Sequence, residues 1–299
     1  MPITVSTSPT VFPWQPAAWL RVTGDDAAGF LQGQFTNDLR VLPGAGSVYG
    51  LWLTLKGKVL ADSFVLRRNE ENAFWIGSYF SPAGVIRERI ESHVIADDVT
   101  VDDVTSEWSG LTLSGDAADI VLPESPAVFS FKGRRSRATA REWMFRTADG
   151  VPESLAAVVA GARTVSSDEM MRWRIEAGIP AVPLDVGPAD LPNEAGLEAD
   201  AISYTKGCYL GQEVMARLKS MGQVRRRLLR VAGSGDAPTT WPAPLFVESR
   251  LVGELRSAVG DGAGGWIGWA MLTRMHVAVE TGLALAPGGT PAIRLTDSP

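Results

Sequence analysis

Hydrophobic and polar residues alternate from Ser47 to Leu55, placing Tyr49, Leu51, Leu53 and Leu55 on one face of a strand. Lys56-Gly57 then turns the chain into a second strand over Lys58 to Arg67, so the pair predicts a β-hairpin. Ser81-Pro82 predicts a helix start, a cap followed by proline at the first position, and Val85, Ile86 and Ile90 supply an apolar stripe running to about His93. A second stretch, roughly Gly110 to Gly222, carries strands near Gly110 to Ser114 and Ala127 to Phe131. Its helices are expected from Pro152 to Gly161 and from Asp168 to Ala177, the latter closed by Gly178 and Pro180. After Gly222 the pattern changes to short strands between Gly/Pro turns: Arg227 to Ala232, Pro244 to Val247, Leu251 to Val259, Gly265 to Leu272 and Pro291 to Leu295. That rhythm belongs to a small barrel or sandwich, and the strand-strand-helix order before it to a ferredoxin-like or split α+β sheet.

At 299 residues, 45% hydrophobic and 21% charged, the chain can bury the cores of two or three domains. No apolar run approaches the roughly 18 residues of a spanning helix, and Met1-Pro2-Ile3-Thr4-Val5 lacks the layout of a signal peptide. The expectation is a cytoplasmic protein with no membrane partner. A lone cysteine agrees with a reducing compartment, and with only His93 and His276 beside it this chain cannot complete a four-ligand zinc or iron–sulfur site. No metal site is expected, and any cluster would need ligands from a second chain or a small molecule. The net charge of −6 argues against sequence-specific nucleic-acid binding. The basic runs Lys132-Gly133-Arg134-Arg135-Ser136-Arg137 and Arg225-Arg226-Arg227 are read as solvated faces.

The densest polar chemistry surrounds that cysteine, in Lys206-Gly207-Cys208-Tyr209-Leu210-Gly211-Gln212-Glu213 with Arg217 beyond it. A cation beside a thiol favours thiolate, and Lys206 is placed to supply it. Gly207 and Gly211 let the backbone turn tightly, which predicts a loop. A free cysteine is most often a small buried hydrophobe, but so many polar groups within one short segment are costly to bury without a task.

This motif, with Gly222, resembles the signature of the YgfZ-type folate-binding proteins, relatives of the glycine-cleavage T-protein (an aminomethyltransferase) implicated in iron–sulfur cluster assembly and repair. Leu31-Gln-Gly-Gln-Phe-Thr-Asn-Asp-Leu39, Lys56-Gly-Lys58, Arg174-Ile-Glu-Ala-Gly-Ile-Pro180 and Gly265-Trp-Ile-Gly-Trp-Ala270 extend the resemblance over nearly the whole chain. It implies an α+β, three-domain T-protein-like fold around a central tetrahydrofolate pocket. Residues 1–222 would form a folate-binding region of two ferredoxin-like subdomains, divided near 109/110, and residues 223–299 a C-terminal β-barrel. Tetrahydrofolate or a one-carbon derivative is the implied cofactor. The implied partners are iron–sulfur client proteins, among them enzymes that modify tRNA.

Residue by residue, Glu176 matches the position of the T-protein's pterin-binding glutamate, although its spacing from Arg172 equally suits a helical ion pair. Asp62 falls on the second position of an Asp-Asp pair whose first is Ala61 here, the place of the reacting carboxylate. Tyr49 resembles an aromatic lining the folate pocket and is equally suited to core packing; Asn37 and Asp38 match a shared Asn-Asp element that also makes a turn. By the same resemblance Cys208 with Lys206 is the working thiol, and Tyr209, Gln212, Glu213 and Arg217 lie on the folate side. One departure stands out. Where the T-protein has an asparagine this chain has Ile76-Gly77-Ser78, which counts against full aminomethyltransferase geometry. Two functions follow from the resemblance: a folate-dependent accessory protein for iron–sulfur enzymes, or an aminomethyltransferase acting on a lipoyl-carrier intermediate. Whether the chain catalyses a reaction stays open at this point.

Overall fold

In the computed structural model, which describes residues 8–42, 46–68, 72–120 and 127–297, the chain opens with β1 (Thr10–Trp14) and β2 (Ala18–Thr23). Helix α1 (Ala27–Gln34) leads to the hairpin β3 (Val48–Leu53) and β4 (Val59–Arg68). β5 (Ala73–Ser78), α2 (Ala83–Glu91) and β6 (Thr100–Asp103) follow. These strands make a sheet of order β3-β4-β5-β2-β6. The run β6-β2-β5-β4 is that of a ferredoxin-like sheet, extended at one edge by β3. Tyr49 pairs with Phe64 and Leu51 with Asp62 across the hairpin. Leu51 and Leu53 are buried as the alternation predicts, whereas Leu55 lies in the turn and is 76% exposed. One face of the sheet buries Leu20, Val65, Phe74 and Ile76 against Leu31 of α1 and Ile86 and Ile90 of α2.

A second sheet, order β10-β1-β7-β9-β8, contains β7 (Trp108–Ser114), β8 (Val128–Lys132), β9 (Ala140–Arg146) and the short β10 (Arg163–Thr164), with α3 (Glu153–Gly161) covering it. β1 runs antiparallel to β7 and parallel to β10, so an N-terminal strand crosses the division expected near 109/110. Its Val11 is drawn there by a core of Leu111, Leu113, Trp143, Phe145 and Leu155. An aromatic layer joins the two sheets. Trp19 and Trp75 from the first meet Trp108, Phe129 and Phe131 from the second, with Trp19 and Phe129 centroids 5.3 Å apart. Their edge-on and tilted packing suits the ring quadrupoles.

Helix α4 (Ser167–Glu176) is capped by Ser166, whose Oγ accepts from the Glu169 N–H. An irregular segment with the short α5 (Glu198–Ala201) then leads to α6 (Gln212–Met221), which ends at Gly222 in the left-handed region, φ +68°. The remaining strands, β11 (Arg226–Ser234), β12 (Ala243–Val247), β13 (Arg250–Gly260), β14 (Gly265–Thr273) and β15 (Ile293–Leu295), pair in the order β12-β13-β14-β11-β15. Ala284 bridges to Phe246 of β12 and Leu283 to Ile293 of β15, so this segment links both edges and curls the sheet round its own core of Val231, Leu245, Leu255 and Leu272. A further core welds the parts together: Leu51, Leu53 and Val59 of the hairpin pack with Ile175, Val182, Tyr209 and Met215, and with Leu228, Trp269 and Met271 of the last sheet.

Candidate functional site

The hairpin delivers Asp62 to a cluster of three hydroxyls. Its Oδ1 accepts from the hydroxyls of Ser78 and Ser81, both at 2.7 Å, and its Oδ2 from the Tyr49 hydroxyl at 3.0 Å. Asp62 is 6% exposed. Burial raises its pKa above the ordinary aspartate value, and the three hydroxyls together with the Arg134 charge oppose that rise. The Tyr49 phenol is likewise pushed up, first by burial and then by the Asp62 carboxylate. Ser81 does not cap α2, as expected from Ser81-Pro82; the cap position is Pro82 and makes no side-chain bond. The Ser81 hydroxyl is spent instead on Asp62, and its Oγ also lies 3.0 Å from the carbonyl of Val182.

A narrow crevice opens beside this carboxylate. Tyr49 and Asp62 line it from the hairpin, with Tyr79 and Phe80 just after β5. Arg134 lines it from the β8–β9 connection, and Arg174 with Ile179, Pro180 and Ala181 from the end of α4 and the turn beyond. Arg134 lies with its guanidinium carbon 4.4 Å from the centre of the Tyr49 ring, and its Nε and Nη2 donate to Asp200 Oδ2 at 3.1 and 3.0 Å. Within the basic run around it Arg134 and Arg135 therefore turn inward, while Lys132 and Arg137 are exposed as expected. Arg135 is 5% exposed, 3.7 Å from the centre of the Tyr79 ring and paired at 3.6 Å with the buried Glu142. Paired, ring-covered guanidinium is the form in which arginine tolerates burial. In the second basic run Arg226 also turns inward, to Asp190 and Glu194, while Arg225 and Arg227 are exposed.

The cysteine motif lies elsewhere on the molecule and is joined to this crevice by a chain of bonds. Residues 206–211 form the expected loop, but Gln212, Glu213 and Arg217 stand on α6. Gly211 has φ +87°, and a Cβ there would come 2.9 Å from the Thr54 carbonyl oxygen, so both conformation and space demand glycine. Cys208 is exposed and Tyr209 is buried. Lys206, expected beside the thiol, is instead buried. Its ammonium donates to the carbonyls of Gln32 and Phe35 at 2.6 Å and of Asn37 at 3.1 Å. Desolvation lowers its pKa to about 8. Free carbonyls at the end of α1 and just beyond it attract the cation away from the thiol. Asn37 continues the chain: its Nδ2 donates to the carbonyls of Tyr49 at 2.8 Å and Asp200 at 3.0 Å. Asn37 thus holds the backbone behind the crevice.

Glu176 ends α4 with its side chain exposed, and its backbone carbonyl accepts from Arg230 at 2.8 Å. It does not line the crevice, and no bond joins it to Arg172 among the described residues. The structure thus groups Tyr49 and Asp62 directly, with Asn37 behind them. Glu176 and the motif side chains Cys208, Gln212, Glu213 and Arg217 lie apart from that crevice. Ser78, Ser81, Arg134 and Arg174 were not read as site residues. Ser78 belongs to Ile76-Gly77-Ser78, the stretch that departs from the T-protein's asparagine, and that departure is the sequence signal for it. A wider cleft of about 600 Å³ at the β2–β6 edge gathers Arg21, Arg87 and Arg146, but Arg21 meets Asp102, Arg87 meets Glu91 and Arg146 meets Glu107.

Residues 4–131 match the family described as GCVT N-terminal domain. The chain is 30% identical over 286 residues to the human mitochondrial iron-sulfur cluster assembly factor IBA57, covering 86% of this chain and 79% of that protein. It is 28% identical over 235 residues to the tRNA-modifying protein YgfZ of Edwardsiella ictaluri, covering 75% of this chain and 70% of that protein. Among solved structures, the glycine cleavage system aminomethyltransferase T of Bartonella henselae superposes with a TM-score of 0.79 over 97% of this chain and 85% of that one, at 17% identity. That likeness shows the α+β T-protein-like fold.

Proposed function

The chain belongs to the family of the iron–sulfur cluster assembly factor IBA57 and the tRNA-modifying protein YgfZ, and on that premise we propose that it is a tetrahydrofolate-binding accessory protein supporting iron–sulfur enzymes. Their clients would include enzymes that modify tRNA. The observation that carries the folate part is the buried Asp62 at the head of a crevice lined from three separate parts of the chain. Tyr49, Phe80 and Pro180 offer apolar walls and Asp62 and Arg134 polar edges, the chemistry that suits a planar heterocycle with donors and acceptors on its rim, but at about 10 Å³ the crevice would admit one only with its walls moved apart. Asp62 would accept from the ring system; Glu176, outside the crevice, is assigned a pterin edge by the family resemblance alone. Tetrahydrofolate, when bound, would supply a nitrogen able to carry a one-carbon unit.

An exposed thiol on a loop suits contact with a client better than chemistry inside the crevice, and we assign Cys208 that role, with Gln212, Glu213 and Arg217 on the helix that follows. The aminomethyltransferase alternative rests on Asp62. The stretch Ile76-Gly77-Ser78, which lacks the T-protein's asparagine, makes that alternative the weaker one. No helix among the described residues is long and apolar enough to cross a membrane, and the single cysteine suits the cytoplasm. Expression in cells lacking their own homologue tests the whole proposal. The wild-type chain is expected to restore iron–sulfur-dependent tRNA modification and Cys208→Ser to fail while accumulating as folded protein. Full rescue by Cys208→Ser would remove the thiol from the function.

A further inference from the structure

The turn of the β3–β4 hairpin leaves its apolar residue in water. Leu55 is 76% exposed, with the exposed Lys56 beside it and the half-buried Lys58 on the same turn. That turn is seated on the cysteine motif. A Cβ on Gly57 would meet Val214 and Met215 of α6 at 2.9 Å, and one on Gly211 would meet the Thr54 carbonyl oxygen at 2.9 Å. Arg217 follows Val214 by three residues, about 4.5 Å along the helix axis, and the exposed Cys208 precedes Gly211 by three on the loop. Leu55, Lys56, Lys58, Cys208 and Arg217 are thus gathered around one junction of hairpin turn and motif. Its charge runs against that of the chain. Residues 54–58 and 206–219 carry Lys56, Lys58, Lys206, Arg217 and Lys219 against the single carboxylate of Glu213, in a protein of net charge −6. Elsewhere many arginines meet carboxylates within the chain, as Arg146 meets Glu107, Arg163 Glu169 and Arg226 Glu194. The side chains of Lys56, Lys58 and Arg217 have no such partner among the described residues.

We propose that this junction docks an acidic segment of a client protein, which lays an apolar side chain on Leu55 and carboxylates on Lys56, Lys58 and Arg217. This rests on the reading of Cys208 as the thiol that meets a client, and goes beyond it in naming the docking surface and the chemistry of the segment it takes. Covering Leu55 removes apolar surface from water, and the cations meet carboxylates without giving up an internal partner. In an acidic protein a local excess of unpaired cations also steers an acidic partner to that place. A nucleic acid is the poorer fit, because unstacked bases need a flat ring to lie on and the motif's own aromatic, Tyr209, is buried.

The test uses two fluorescent nonapeptides of glutamate, one with leucine and one with serine at its centre, and a single-stranded oligoribonucleotide of the same total charge. Anisotropy is expected to show saturable, salt-sensitive binding of the leucine peptide to the wild type, and about tenfold weaker binding of the serine peptide. The double variant Lys56→Glu, Arg217→Glu is expected to bind the leucine peptide about tenfold more weakly than the wild type. Arg294→Glu, at an exposed position on β15, is expected to bind it as the wild type does. Bound leucine peptide is expected to slow alkylation of Cys208 by iodoacetamide. The two-peptide comparison and the salt dependence need no variant, so the proposal stays testable even if the double variant misfolds. No binding by the wild type, equal affinities for the two peptides, or unchanged affinity in the folded double variant would each overturn the proposal. Tighter binding of the oligoribonucleotide than of the leucine peptide would overturn it in favour of nucleic acid. Cells lacking their own homologue separate this proposal from the role of the thiol. If the double variant restores tRNA modification as well as the wild type while Cys208→Ser fails, the docking surface is overturned and the thiol's role stands; full rescue by Cys208→Ser overturns the thiol's role and leaves the surface to be decided by the peptides.

Discussion

Asp62 is a carboxylate kept where ionisation is opposed. Burial raises its pKa, so its folded value lies above its unfolded one, and deprotonation through that window removes stability as pH rises. Asp62→Asn retains a carbonyl oxygen for Ser78 and Ser81 and an amide that Tyr49 can accept from. It is therefore expected to be at least as stable as the wild type at neutral pH, an advantage that shrinks as the pH falls and the wild-type carboxyl takes up its proton. Thermal melts of both proteins between neutral and acid pH check this, and a variant clearly less stable at neutral pH would show that the carboxylate serves the fold. The sequence pointed to Asp62 only through resemblance, since an acidic residue alternating along a hairpin more often faces water. What made it a site, the convergence of Ser78, Ser81 and Tyr49, depends on pairing and on a turn after β5 that local pattern does not encode.

At the level of elements, the hairpin, α2 to α4 and the strands of the last sheet were legible, because each carries its own periodicity or its own Gly/Pro boundaries. β1, β2, β5 and β9 were not read: β1 is short and contains Pro13, and β2, β5 and β9 are mostly buried with little alternation. Within the basic run at 132–137 the inward turn of Arg135 was not legible, because its ring covering and its Glu142 pairing come from strands far away in sequence; Lys132 and Arg137 are exposed as expected. Lys206 is the instructive element joint. It ties the motif loop to the end of α1 through three carbonyls, and Asn37 relays that tie to Tyr49 and Asp200. Lys206→Met, similar in length but without donors, is expected to destabilise the protein by about 1–3 kcal/mol, the cost of leaving buried acceptors unpaired. Urea unfolding measures it, and an unchanged midpoint would mean the loop is held by Tyr209 and Met215 packing alone.

Over the whole molecule, two sheets are fused by an aromatic layer and the third closes on its own core, with a shared cluster of hairpin, motif and barrel residues between them. We therefore propose residues 223–299 as a C-terminal β domain, with the exposed Gly222 and Gln223 as its hinge. Limited proteolysis is expected to cut near this point and release a β-rich C-terminal fragment; a fragment rich in helix, or cleavage within β11 to β14 first, would contradict it. The family resemblance was visible across the chain because motifs are local, whereas the crevice is assembled by contacts among parts more than a hundred residues apart, such as Ser81 and Val182. The most direct measurement of the central claim is a calorimetric titration of the purified protein with tetrahydrofolate, run in parallel on Asp62→Asn and Glu176→Gln. Saturable binding by the wild type is predicted, weakened in each variant by roughly 1.5–3 kcal/mol, the worth of a hydrogen bond to a charged group. No binding by the wild type, or the same affinity in folded Asp62→Asn, would contradict the assignment of the crevice to folate.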